Sequence, residues 1–285
     1  MQLLLNYFTS KRSRLCSTTV SRYTGKEMKW FGIRPILILL VLLHGCGTEQ
    51  ETRCFPGRVS TTIAEGTNAT MITADYQYDG DRPDRIIFSN FQTHFFAYNS
   101  DGRIRSVARK NVQNFQNLAS VYTYSDGEVV RSDEYRIRLD RFTQENTDTL
   151  HTGYRLFEYE GGKVTEEMVF DIDPVSGAAV PALFKTYTYD AAGNMTAYIC
   201  LDEVEGDTIE ASEYIYDSQR HPYSDLGLVF EGATHVNNVL RRTDLLTGEV
   251  FNHQVIYTPT GYPEQINVKQ ESYLVEVIRI DYTCR

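Results

Sequence analysis

The chain has 285 residues, 41% hydrophobic and 23% charged, enough for one large or two small globular domains and unlike a disordered chain. Its formal charge is −10, but residues 1–45 hold seven of the 28 Lys and Arg and one of the 38 acids, so the remainder carries 21 basic against 37 acidic residues, a net charge of −16. A body this acidic repels phosphate backbones, which argues against nucleic acid as a partner; the charge serves solubility, with binding of cations or basic partners as the alternative.

In chain order, residues 1–27 come first. The stretch "KRSRLCSTTVSRYTGK" is basic and rich in Ser and Thr, and is expected to be a disordered extension or a mis-start ahead of translation from Met28. From there "MKWFGIRPILILLVLLHGCGTEQE" begins with basic Lys29 and Arg34 and continues into an apolar run over 36–43. That run is well short of the ~20 residues needed to span a bilayer, so residues 28–45 read as a secretory signal peptide. The signal ends Leu43-His44-Gly45-Cys46, which resembles a bacterial lipobox. The resemblance implies that Cys46 carries diacylglycerol, becomes the mature N-terminus and anchors the chain to the outer membrane through its acyl chains, on the periplasmic or the surface face. Residues 46–57 are then a lipidated tether, and its acids just after the cysteine resemble the export signals of Bacteroidota surface lipoproteins.

Residues 58–285 are expected to form a single β domain. A short pattern recurs through it: "DYQYDGDRPDRIIF", "FFAYNSDGRIRSV", "VYTYSDGEVV", "LFEYEGGKVT", "YTYDAAGNM", "YIYDSQRHPY", "VIYTPTGYPEQI" and "IRIDYTCR". In each unit two aromatic or aliphatic residues alternate with another residue, so that the pair faces one side of a strand. Asp, Asn, Ser and Gly then close a turn. The second tyrosines fall at Tyr78, Tyr98, Tyr124, Tyr159, Tyr189, Tyr216, Tyr257 and Tyr282, a spacing too uneven for a solenoid. The fold class that follows is all-β: a large twisted antiparallel meander, open or barrel-like, built from Y-x-Y-turn hairpins. Gly193 is expected at positive φ in "DAAGN". Residues 222–230 fit either a short helical turn or a strand.

The motif Y-x-Y-D-x-x-G-N resembles the YD repeat of Rhs-type proteins, although its units are too few and too irregular for an Rhs shell. "YIYDSQRHPYSDL", "VNNVLRRTD" and "YTPTGYPEQINV" resemble a Bacteroidota lipoprotein family of unknown function with a porin-like fold, with His221 and Tyr223 where that family has Asn and Phe. The resemblance covers roughly residues 58–285 and implies a fold and a location without an activity.

Cys54 and Cys284 lie near the two ends of the domain, where an exported chain can join them; buried, unpaired thiols are the alternative. Cys200 is expected in a strand core. The histidines show no paired metal-ligand spacing, and no nucleophile elbow, phosphate loop or dinucleotide fingerprint is present, so neither a catalytic residue nor a cofactor is expected. Asp79, Asp81 and Asp84 fit a solvated hairpin tip, with Ca²⁺ binding as the alternative. Asp202, Glu203, Glu205 and Asp207 fit a second tip, with paired-carboxylate glycoside hydrolysis as the alternative. Asp148-Thr149-Leu150 and Asp207-Thr208-Ile209 resemble a Bacteroidota O-glycosylation signal, which implies modification at Thr149 and Thr208.

The function expected is a non-enzymatic, lipid-anchored envelope protein that binds or displays an unidentified ligand. One alternative is a carrier of a lipid or other apolar ligand, which needs a continuous apolar concave face. Another is a glycan-binding surface lipoprotein, which needs exposed tyrosine rows; the single Trp, Trp30, lies in the signal. In the last strand, "YLVEVIRIDYTCR", both faces carry charge, so the domain is expected to be soluble rather than a membrane-spanning barrel.

Overall fold

The computed structural model describes residues 53–65, 68–111, 116–140, 146–223 and 235–284. They form β1 (Cys54–Glu65), β2 (Asn68–Asp79), β3 (Arg82–Phe88), β4 (Gln92–Tyr98), β5 (Ile104–Asn111), β6 (Gln116–Ser125), β7 (Glu128–Leu139), β8 (Asn146–Glu160), β9 (Lys163–Ile172), β10 (Ala179–Tyr189), β11 (Met195–Asp202), β12 (Thr208–Arg220), β13 (Asn237–Asp244), β14 (Val250–Tyr257), β15 (Pro263–Gln270) and β16 (Tyr273–Cys284). Each strand pairs antiparallel with its sequence neighbours, and β16 pairs with β1, so the meander closes into a barrel. Closure removes the exposed sheet edges that would otherwise template aggregation. It is sealed where the chain ends meet, because Cys54 faces Cys284 in register and the two are joined as a disulfide.

The first strand begins earlier than the sequence suggests. Residues 54–57, expected at the end of the tether, belong to the barrel: Cys54, Phe55 and Pro56 pair with Cys284, Thr283 and Tyr282, and Phe55 is buried. Burial of that aromatic ring and the ladder with β16 hold the segment in the wall.

An up-and-down barrel places turns after even-numbered strands at one end and turns after odd-numbered strands at the other. The first end uses one turn three times, at 99–103, 190–194 and 258–262. In each, the N–H of the first residue donates to the carbonyl of the last, and the N–H of Gly102, Gly193 or Gly261 donates back to the first carbonyl. Gly193 has φ +98, as expected from "DAAGN". The other end uses a different turn three times, D-x-x-x-G at Asp173, Asp202 and Asp244. Each aspartate Oδ1 accepts the N–H groups two and three residues on, an Asx turn closed by glycine at positive φ. Backbone N–H donation from Ser176 and Thr247 holds the Asp173 and Asp244 carboxyls below their ordinary range.

Along the strands, burial alternates. Phe55, Val59, Ile86, Phe96, Tyr122 and Phe157 join one buried cluster that runs around the barrel wall, and they mark the inward face. Cys200 is buried with a free thiol.

Candidate functional site: a tyrosine collar above a polar interior

The second tyrosine of every repeat unit faces inward at the end where the Y-x-Y turns lie. The hydroxyls of Tyr78, Tyr98, Tyr124, Tyr159, Tyr189, Tyr216 and Tyr282 donate to the carbonyls of Pro56, Pro83, Ile104, Val129, Val164, Met195 and Pro263, at 2.5–2.9 Å. The acceptors follow a rule. Tyr98 pairs with Ile104 across its own turn, and the Ile104 carbonyl receives Tyr124; Tyr124 pairs with Val129, whose carbonyl receives Tyr159. A register shift accompanies the tyrosine in these pairings, and such a bulge frees a carbonyl from the ladder for the next hydroxyl to satisfy. The pattern breaks at Tyr257, which bonds to the Asp217 carboxylate instead. Cations reinforce the collar: Arg82, Arg103 and Lys163 lie 5.7, 5.3 and 5.3 Å from the ring centroids of Tyr98, Tyr124 and Tyr189. Burial pushes the Tyr124 phenol up to about 12.

Below the collar the interior turns polar. Arg109 donates to Ser120 Oγ, which donates to Glu134. Glu167, 2% exposed, accepts from Lys185 at 3.0 Å and from Tyr187 at 2.6 Å, with Arg155 at 3.5 Å. Its carboxylate is therefore engaged as an ion-pair and hydrogen-bond partner. Arg242 lies 4.4 Å from the Phe251 ring. Nearer the far end, inward-facing Thr70, Arg136, Asp171 and Glu210 are exposed.

Just after β12 the chain enters this interior at Tyr223. Tyr223 is buried, and its ring lies 6.2 Å from that of Tyr76 on β2. Burial drives His221 well below its ordinary value, with His235 adding to the effect. Asn194 fixes where the chain returns: its Oδ1 accepts the N–H groups of Val236 and Asn237, both at 2.8 Å, and its Nδ2 donates to Asp190 and Asn237. Asp217 similarly accepts from Asn238 and Gln219. A cleft of about 550 Å³ opens beside these residues, but their polar atoms are largely engaged with one another. Of residues 222–230, Pro222 and Tyr223 form a turn, and the rest lie outside the described residues.

The outer wall is polar over a broad arc. Asn252 and Gln254 on β14, Gln265, Asn267 and Lys269 on β15, Arg279 and Asp281 on β16, Arg58 on β1 and Asp75 on β2 occupy neighbouring outward positions. Arg58 and Asp75 form a two-point ion pair, and Arg279 bonds to Gln265. On β7 and β8 the outer face carries Arg131, Asp133 and His151 beside Tyr154, whose ring is covered by Arg131 at 3.9 Å and stacked on Phe170 at 4.7 Å.

The structure places the sequence-expected residues as follows. Cys46, the extension expected over 1–27 and the signal peptide expected over 28–45 lie outside the described residues. Asp79 and Asp81 are exposed at the β2–β3 tip, and Asp84 bonds to Arg85. Asp202 caps its turn while Glu203, Glu205 and Asp207 are exposed. Thr149 and Thr208 are exposed on β8 and β12. Among the described residues, no three His, Cys, Asp or Glu come together as a metal site. Three features went unread in the sequence although each left a mark there: the D-x-x-x-G turns, the cations that follow the Y-x-Y turns, and the Asn194–Asn237 clamp.

No protein-family model matches the chain, and no curated protein matches it. Among solved structures, it is similar to a porin-like protein from Bacteroides vulgatus ATCC 8482, with a TM-score of 0.51 and 12% identity over 81% of this chain and 99% of that one. A porin-like protein from Bacteroides uniformis ATCC 8492 gives 0.49 and 12% over 81% and 96%. A protein of unknown function from Bacteroides fragilis NCTC 9343 gives 0.27 and 8% over 48% and 86%. At these identities the likeness is one of fold, and the fold of this chain is that of a porin-like closed β-barrel.

Proposed function

We propose that the protein is a non-enzymatic binding or display module of the cell envelope, held at the outer membrane by acyl chains on Cys46, with its barrel standing in water. The outer wall carries this reading. A membrane-spanning barrel needs an apolar band facing lipid, and an Arg or Lys at mid-bilayer costs ~2–4 kcal/mol. Here Arg58, Asp75, Lys269, Arg279 and Asp281 share one outward arc with amide side chains. The porin-like fold of its Bacteroides neighbour supports an envelope setting, and the resemblance of Leu43–Cys46 to a lipobox supports the anchor. The interior favours neither alternative function. Ion-paired Glu134 and Glu167 interrupt any apolar lining, and the collar hydroxyls, committed to carbonyls, are not free to bind sugars. β1 opens at the collar end, so the eight steps from Cys46 to Cys54, at most ~28 Å long, would attach the barrel by that end. The test is refolding of residues 54–285 without detergent. The expected result is a soluble β-rich monomer with a cooperative melt; a chain that stays insoluble until detergent is added, and only then shows β structure, overturns the proposal.

A further inference from the structure

We infer that the turns after β9, β11, β13 and β15 together form a docking surface for a protein partner whose contact face is apolar and flanked by Lys and Arg. The four turns share the end opposite the collar and are neighbours in barrel order, two strands apart, so their tips recur about every 10 Å along the rim. Each presents a large apolar side chain to water: Val175 is 94% exposed, Val204 74%, Leu246 51% and Tyr273 72%, with Leu245 and Leu274 beside them. Turns need no such residues. The collar-end turns 79–82, 125–128 and 160–163 are built from Asp, Glu, Ser, Gly, Lys and Arg alone. Exposed apolar groups gathered at one place on a soluble surface mark an interaction site.

Charge selects the occupant. The segments 173–178, 203–207, 245–249 and 271–274 contain Asp173, Glu203, Glu205, Asp207, Glu249 and Glu271 and no Lys or Arg. A second copy of this acidic chain would bring like charge to the rim, and an anionic lipid surface would do the same. A basic protein face is complementary. The first three turns are fixed by Asx hydrogen bonds and a glycine, so their tips are presented at little ordering cost on binding.

The test places a photo-crosslinking amino acid at Val175 or Val204 of the full chain in producing cells, with Asp81 on the collar-end tip as control. The expected result is one heterologous protein adduct from both rim positions and none from Asp81, with the crosslinked peptide on a Lys- or Arg-flanked apolar face. Glu203→Lys with Glu205→Lys should lower the adduct yield by about tenfold or more while leaving the melting temperature unchanged. If that pair fails to fold, Glu205→Gln with Asp207→Asn serves, and a severalfold loss is then expected. Lipid adducts, self-adducts, no adduct, or an adduct indifferent to charge reversal would each overturn the inference.

Discussion

Removing one collar hydroxyl tests whether the repeated tyrosines hold the barrel together. In Tyr189→Phe the ring stays, with Lys163 beside it, but the Val164 carbonyl loses a 2.8 Å donor beside a residue that is only 7% exposed. A neutral hydrogen bond contributes ~0.5–1.5 kcal/mol, and stranding a buried acceptor costs ~1–3 kcal/mol, so a loss of about 1.5 kcal/mol is expected. Unfolding entropy near 2.1 cal/mol/K per residue over about 230 residues gives roughly 0.5 kcal/mol/K, so the melting temperature should fall by about 3 °C. Tyr257→Phe should cost more, because the group left behind is the Asp217 carboxylate, and hydrogen bonds to charged groups contribute ~1.5–3 kcal/mol. Tyr273→Phe, 72% exposed outside the collar, serves as the control and should change nothing. Calorimetry on the three variants decides the matter. If Tyr189→Phe melts with Tyr273→Phe, or Tyr257→Phe is the mildest of the three, the collar does not stabilise the fold in the way its geometry implies.

Stability should fall on mild acidification. Burial, helped by Arg109, pushes His94 down to about 4, and burial pushes His235 to about 3 and His253 to about 4. The unfolded chain therefore takes up protons first, and stability present above pH ~6.5 is lost at about 1.4 kcal/mol per pH unit per histidine as pH falls toward 4; a melting temperature unchanged between pH 7 and pH 5 contradicts this. Replacing both Cys54 and Cys284 by Ser opens a covalent loop with a sequence separation of 230, which should lower stability by up to roughly 5 kcal/mol, read from the denaturant midpoint; a midpoint equal to that of the oxidised wild type would show that the β1–β16 ladder suffices alone. Gly193→Val puts a branched side chain at φ +98 with its Cβ 3.4 Å from Val236, so a loss of about 1 kcal/mol or more is expected; a melt matching wild type rules out strain at this turn.

Much of this molecule is written locally. The Y-x-Y spacing sets which side chains share a strand face, and the Asp, Asn and Gly that follow set where the strand turns, because both depend on a few adjacent residues. The eight tyrosines, the positive φ of Gly193 and an antiparallel all-β meander are therefore legible in one dimension. Closure is not. Whether such a sheet stays open or meets itself depends on twist and register accumulated over sixteen strands, and only the pairing of β1 with β16, far apart along the chain, decides it. The same holds for the collar. Alternation says that Tyr124 faces inward, but its hydroxyl reaches the Ile104 carbonyl only because the neighbouring hairpin is shifted in register at Tyr98. It is also why Glu167 and Lys185, unremarkable in the sequence, meet inside the barrel, while Val175, Val204 and Tyr273 gather on one rim: residues far apart along the chain become neighbours through hairpin order, which no local pattern records.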